Sequence, residues 1–87
     1  MVHHQSEYED CIRNAGVSSA SIKSYISYLN SVSKYLNLDI TKSRLGTTHD
    51  IKVLADSVLE LGRVSEKTIQ NYKAAMRQYV NMVESWS

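Results

Sequence analysis

Proline is absent from this chain, glycine occurs three times and cysteine once in 87 residues. An all-β protein needs turn residues roughly every ten positions, so a chain this poor in them points to helices. The same scarcity excludes collagen-like and disordered compositions. Cys11 has no partner for a disulfide. A chain this short buries only roughly 60% of its unfolded surface, so its stability rests on well-packed helices or on a partner. No apolar run approaches the ~18 residues of a membrane span. Met1-Val2-His3-His4-Gln5 has neither the basic nor the apolar block of a signal peptide. A soluble, cytoplasmic, all-α protein of one domain is the expectation.

Gly16, Gly46 and Gly62 fall where helices would stop, because glycine takes the left-handed conformation after a helix without a Cβ clash. They divide the chain into four helices, at about 6–15, 18–37, 47–61 and 65–84. In the first, Ser6 and Glu9 have the spacing of a capping box, and Tyr8, Cys11, Ile12 and Ala15 form the inward stripe. The second begins at Ser18, buries Ile22, Tyr25, Ile26, Leu29, Val32 and Leu36, and stops near Asn37. A connector follows whose Leu38, Ile40 and Leu45 tuck under the bundle. The third begins at Thr47 or Thr48, has Asp50 where the helix dipole favours an anion, and buries Ile51, Leu54, Val58 and Leu61. The fourth begins at Ser65 and turns Ile69, Tyr72, Met76, Tyr79 and Val83 inward, with Trp86 as a further inward candidate.

Sliding Val17 onto Val64 also brings Ser18 onto Ser65, Ile22 onto Ile69 and Tyr25 onto Tyr72. In both copies a valine precedes a serine cap and an isoleucine follows four residues later, the arrangement of a hydrophobic staple. Duplication and two independently stapled amphipathic helices both produce this match. Either way, the second and fourth helices are equivalent parts of one bundle.

The net charge of +1 conceals a segregation. Glu7, Glu9 and Asp10 outweigh Arg13 in the first segment, and Asp50, Asp56 and Glu60 outweigh Lys52 in the third. Lys23, Lys34, Lys42 and Arg44 outweigh Asp39 in the second, and Arg63, Lys67, Lys73 and Arg77 outweigh Glu66 and Glu84 in the fourth. The two basic helices, if adjacent, could offer a positive strip to a phosphate backbone. Salt bridges between neighbouring helices would leave the same pattern, and composition leaves both readings open.

The polar faces of these helices also carry unusually many short hydrogen-bonding side chains. Ser19, Ser21, Lys23, Ser24, Ser27 and Asn30 lie on one, and Lys67, Thr68, Gln70, Asn71, Lys73, Ala74, Arg77 and Gln78 on the other. Serine and asparagine are poorer helix formers than the glutamate and lysine that solubility alone favours. Such side chains contact phosphate oxygens and base edges, and small residues let a helix approach a groove. A helix–helix interface between copies would tolerate them too.

The order of these signals resembles the core-binding domain of tyrosine recombinases and phage integrases. The likeness spans residues 7–84 and rests on the stretch from Gly16-Val17-Ser18-Ser19-Ala20-Ser21-Ile22 to Leu29, on Asp39-Ile40-Thr41, and on Gly62-Arg63-Val64-Ser65-Glu66-Lys67-Thr68-Ile69-Gln70-Asn71-Tyr72. The resemblance implies a SAM-like, orthogonal four-helix bundle whose second and fourth helices face DNA, forming half of a clamp completed by a catalytic domain. The family's Ser/Thr-rich helix entrances match Ser18, Ser19 and Ser21, and Ser65, Lys67 and Thr68. Its DNA-facing positions fall on Lys23, Ser24 and Ser27, and on Gln70, Asn71, Lys73 and Arg77. The implied partners are double-stranded DNA and either a catalytic recombinase domain or another copy of the chain. Two departures stand out: few cations for phosphate neutralisation, which implies weak, salt-sensitive affinity, and no catalytic half. The chain is read as the N-terminal domain of a larger recombinase or nuclease, or as a small free-standing relative.

Chemistry within this chain is not expected. Tyr25, Tyr72 and Tyr79 lie on inward stripes, without the arginine–histidine constellation that would stabilise a phosphoryl transition state. Tyr28 and Tyr35 would cover the core edge. His3 and His4 adjoin at a frayed terminus and His49 stands alone, so no metal-ligand spacing exists, and Cys11 reads as a small apolar residue. No phosphate loop or nucleophile–base pair is present. The expectation is a binding module without cofactor, metal, small-molecule substrate or membrane contact. The alternative is a helical protein-interaction or homodimerisation module, aided by Trp86.

Overall fold

A computed structural model describes residues 1–86. They form four helices, α1 (Gln5–Asn14), α2 (Ser19–Leu36), α3 (Thr48–Glu60) and α4 (Glu66–Ser85). The only β pairing among the described residues is an isolated parallel bridge between Val2 and Ile40. No helix among them is long and apolar enough to cross a membrane.

Local chemistry sets most of the boundaries. Ser18 and Ser65 cap α2 and α4, their side chains accepting the amides of Ser21 and Thr68. At α3, Thr47 accepts the amide of Asp50 at 3.2 Å, while Asp50 Oδ2 accepts the amides of Thr47 at 3.1 Å and Gly46 at 2.9 Å. Asp50 thus completes a capping box as well as facing the positive end of the dipole. Asn37 ends α2 in the left-handed conformation, at φ 51°. Gly16 and Gly62 are left-handed too, at φ 90° and 69°.

Gly46 departs from the expected pattern. It is not left-handed; a Cβ there would lie 2.5 Å from the Lys42 carbonyl oxygen, so close backbone approach explains this glycine. The start of α1 departs as well. Its cap is His4, left-handed at φ 60° and without a side-chain cap bond, and Ser6 lies within the first turn. A long-range tie overrides the local capping signal. The His3 amide donates to the Ile40 carbonyl at 2.8 Å, the Ile40 amide to the Met1 carbonyl at 2.9 Å, and the Tyr79 hydroxyl to the His3 carbonyl at 2.9 Å. With Val2 buried beneath them, residues 1–4 are pinned against the connector and α4 rather than frayed.

One apolar core unites the four helices and the connector, with Tyr8, Ile12, Leu29, Val32, Ile40, Leu45, Met76 and Tyr79 among its most enclosed members. Helix α4 touches all three others, and α1 and α3 each pack on both α2 and α4 but not on one another. The acidic helices are therefore held apart by the basic pair. The inward stripes differ from expectation at their ends. Ala15 is exposed, and Leu61 and Trp86 are 45% and 46% exposed, because each lies at or beyond its helix's last turn, where the apolar face no longer meets the core. Ser33 is buried although polar, and its hydroxyl is spent on the Leu38 carbonyl at 2.5 Å.

Candidate nucleic-acid interface

The seam between α2 and α4 is marked by aromatic contacts. Tyr28 meets Tyr72 with ring centroids 5.8 Å apart, and Tyr25 stands 6.3 Å from Tyr28. Tyr72 is buried yet its hydroxyl has no protein partner among the described residues, and no buried side-chain oxygen there is left unpaired, so this hydroxyl reaches solvent. The other two core tyrosines are committed internally. Tyr8 donates to the Ala75 carbonyl at 2.9 Å and Tyr79 to His3. Burial pushes the Tyr8 hydroxyl far above its ordinary pKa and Tyr79 up to about 12, with the Glu7 carboxylate adding to the latter.

Of the candidate contact residues, Lys23, Ser24, Ser27, Lys67, Gln70, Asn71 and Arg77 are exposed and Lys73 is half-buried. Their positions around the helix axes follow from about 100° per residue. Measured from Tyr28, Ser24 lies about 40° from the seam, Ser27 about 100° and Lys23 about 140°. Measured from Tyr72, Asn71 and Lys73 lie about 100° away on opposite flanks, with Lys67, Arg77 and Gln70 further out at about 140–160°. The helices are adjacent, but their polar faces turn away from the contact. Each helix carries its polar side chains as a ridge along its exposed side. Helical spacing alone separates Asn71 from Lys73, so one flat surface cannot take both.

The hydroxyls at the helix entrances are largely used within the chain. Ser18 and Ser21 pair at 3.1 Å, as do Ser65 and Thr68, and Ser24 donates to the Ala20 carbonyl at 3.3 Å. Ser27, Gln70 and Asn71 make no side-chain hydrogen bond among the described residues. The cations are free in the same sense. The ion pairs among the described residues are Met1 and His3 with Asp39, His4 with Glu7, and Arg13 with Asp10. None joins neighbouring helices, and none engages a cation of α2 or α4. Interhelical salt bridging is therefore not the reason for the segregated charge.

The ridges differ in quality. Helix α2 contains no carboxylate over its 18 residues. Lys23, Ser27, Asn30 and Lys34 recur at steps of four, three and four, and all four are exposed. On α4, Glu66 and Glu84 bracket the row of Gln70, Lys73 and Arg77. Lys34, outside the candidate contact set, joins the α2 ridge through its spacing from Lys23.

Among the described residues no three histidine, cysteine, aspartate or glutamate side chains converge as a metal site. Cys11 is a half-buried free thiol. Compared with known proteins, the chain matches no family model, no curated protein and no solved structure.

Proposed function

We propose that this chain is a non-catalytic DNA-binding module, a SAM-like orthogonal bundle similar to the core-binding domain of tyrosine recombinases, gripping duplex DNA through α2 and α4. The observation that carries this reading is the set of unpaired cations. In a chain with nine carboxylates, Lys23, Lys67, Lys73 and Arg77 have no ion-pair partner among the described residues, which leaves them for an external polyanion. Lysine and arginine supply charge-assisted bonds to phosphates, and Ser27 and Gln70 fix register through their free hydroxyl and amide groups; Asn71, on the flank of α4 opposite Lys73, lies outside this contact. Ser24 contributes less, its hydroxyl being turned onto its own helix. The ridge of α2 carries no carboxylate, α4 supplies most of the cations, and sequence preference comes mainly from a partner such as a catalytic recombinase domain.

The test is the double substitution Lys73→Glu with Arg77→Glu, whose side chains share one flank of α4. It is expected to abolish binding to a labelled duplex with an unchanged far-ultraviolet spectrum and melting temperature. Undiminished affinity in this folded variant would remove α4 from the interface. The rival reading, self-association, predicts instead a complex of two chains that forms without DNA and is nearly indifferent to salt.

A further inference from the structure

Beyond the last turn of α2 the surface opens into a polar notch of about 430 Å³, with Lys34, Asn37, Asp39 and Arg44 in its wall. We infer that this notch holds a backbone phosphate of DNA between Lys34 and Arg44. The inference rests on the DNA-binding reading and extends it to a site beyond the two helices.

The notch is built on a rigid frame. The buried Ser33 hydroxyl donates to the Leu38 carbonyl, and the Leu38 amide returns to the Ser33 carbonyl at 3.1 Å, fixing the chain as it leaves α2. Asn37 is held left-handed there. On the opposite wall, Ile40 and Leu45 are fully buried, and the amides of Arg44 and Leu45 donate to the Thr41 carbonyl at 3.1 and 2.8 Å. Arg44 is thus carried on an anchored turn.

The charge within the notch is not balanced from inside. Asp39 is its one carboxylate, and it faces the N-terminal strap, 3.5 Å from His3 Nε2 and 3.3 Å from the Met1 ammonium. Neither Lys34 nor Arg44 lies within ion-pair distance of it or of any other carboxylate among the described residues. Two uncompensated cations lining one polar recess favour an anion, and a guanidinium beside an ammonium suits phosphate oxygens. Of the last four α2 carbonyls, those of Ser33 and Lys34 are capped by the amides of Leu38 and Asn37, so the two cations act against the remaining carbonyls of the helix end. Lys34 is also the last member of the row that starts at Lys23, about 16 Å away along the axis. The notch therefore continues the α2 ridge, which is why a phosphate in a polymer fits it better than a free ion.

Lys34→Ala combined with Arg44→Ala tests this, with titrations of a labelled duplex at several salt concentrations and amide spectra of each protein with inorganic phosphate alone. The expected result is affinity lower by about tenfold or more at low salt and a slope of log affinity against log salt reduced by about two, with the melting temperature kept. Lys52→Ala, on α3, serves as a control that leaves binding unchanged. Wild-type affinity and slope in the double variant would overturn the notch while leaving the DNA reading intact. No duplex binding by the unaltered chain would overturn both. Shifts of the Asn37 and Arg44 amides with inorganic phosphate, lost in the double variant while duplex binding is unaffected, would make this a free-phosphate site and overturn its assignment to DNA.

Discussion

Tyr79→Phe removes one oxygen from the most connected point of the structure. That hydroxyl donates to the His3 carbonyl at 2.9 Å and stands 3.5 Å from the Ile40 carbonyl, tying α4 to the N-terminal strap and the connector. The longer contact is at the limit of hydrogen bonding, and the Ile40 carbonyl keeps the His3 amide at 2.8 Å. One neutral hydrogen bond is lost, costing about 1 kcal/mol, which lowers the melting temperature by about 4–8 °C in a domain of this size. The phenyl ring still packs on Tyr8, whose centroid is 5.8 Å away. The pH dependence adds a second signature. The Tyr79 pKa is raised to about 12 because burial disfavours the phenolate, and the Glu7 carboxylate adds to this. Below the ordinary tyrosine pKa of 10.0 both folded and unfolded chains keep the proton and stability is unaffected. Above it the unfolded chain releases the proton while the folded chain holds it, so stability declines until the folded tyrosine ionises near pH 12. The variant lacks this group and declines less, so the gap between the two proteins narrows across that window. Thermal melts followed by circular dichroism at stepped pH measure both effects. Identical melting temperatures at neutral pH, or a gap that stays constant through the alkaline range, would refute the clamp.

Ile69→Ala, at a side chain only 3% exposed, is expected to cost roughly 2–5 kcal/mol in chemical denaturation; an unchanged midpoint would mean that the α4 stripe does not face the core. Gly46→Ala forces a methyl group to 2.5 Å from the Lys42 carbonyl oxygen and should cost about 1–3 kcal/mol. Its cost should exceed that of Thr47→Ala only if the turn cannot relax. Thr47→Ala deletes one half of the α3 capping box and is expected to cost about 0.5–2 kcal/mol; a neutral result would show that the box contributes nothing to stability.

What the sequence revealed was mostly local. Serine and threonine caps, the inward rows of α2 and α4, and the left-handed stops at Gly16, Asn37 and Gly62 depend on neighbours within a few residues, and they could be read directly. The start of α1 failed for a long-range reason. Ser6 has the spacing of a cap, but the Val2–Ile40 bridge and the Tyr79 hydroxyl, contributed from distant parts of the chain, set where α1 begins. Gly46 reads as a helix stop, whereas a Cβ there would meet the Lys42 carbonyl oxygen four residues before it, a tight local turn that residue spacing does not announce. For the candidate interface, residue types and exposure followed from helical spacing, but the direction of each ridge did not. That needs the contact between the helices, of which the Tyr28–Tyr72 pair is one point. The absence of salt bridges between helices was also beyond composition, because the same charges could have paired across the bundle.

A polyanion that binds only the folded chain stabilises it, so the chain should melt at higher temperature in the presence of duplex DNA.

The most direct test of the central claim is the salt dependence of duplex binding by the unaltered chain, followed by fluorescence anisotropy. If Lys23, Lys67, Lys73 and Arg77 each neutralise a phosphate, log affinity falls with log salt at a slope of about −3 to −4, steeper by about two with Lys34 and Arg44 engaged, and affinity drops at least roughly a hundredfold between about 50 and 200 mM salt. No binding at low salt, or an affinity that does not respond to salt, would contradict the account.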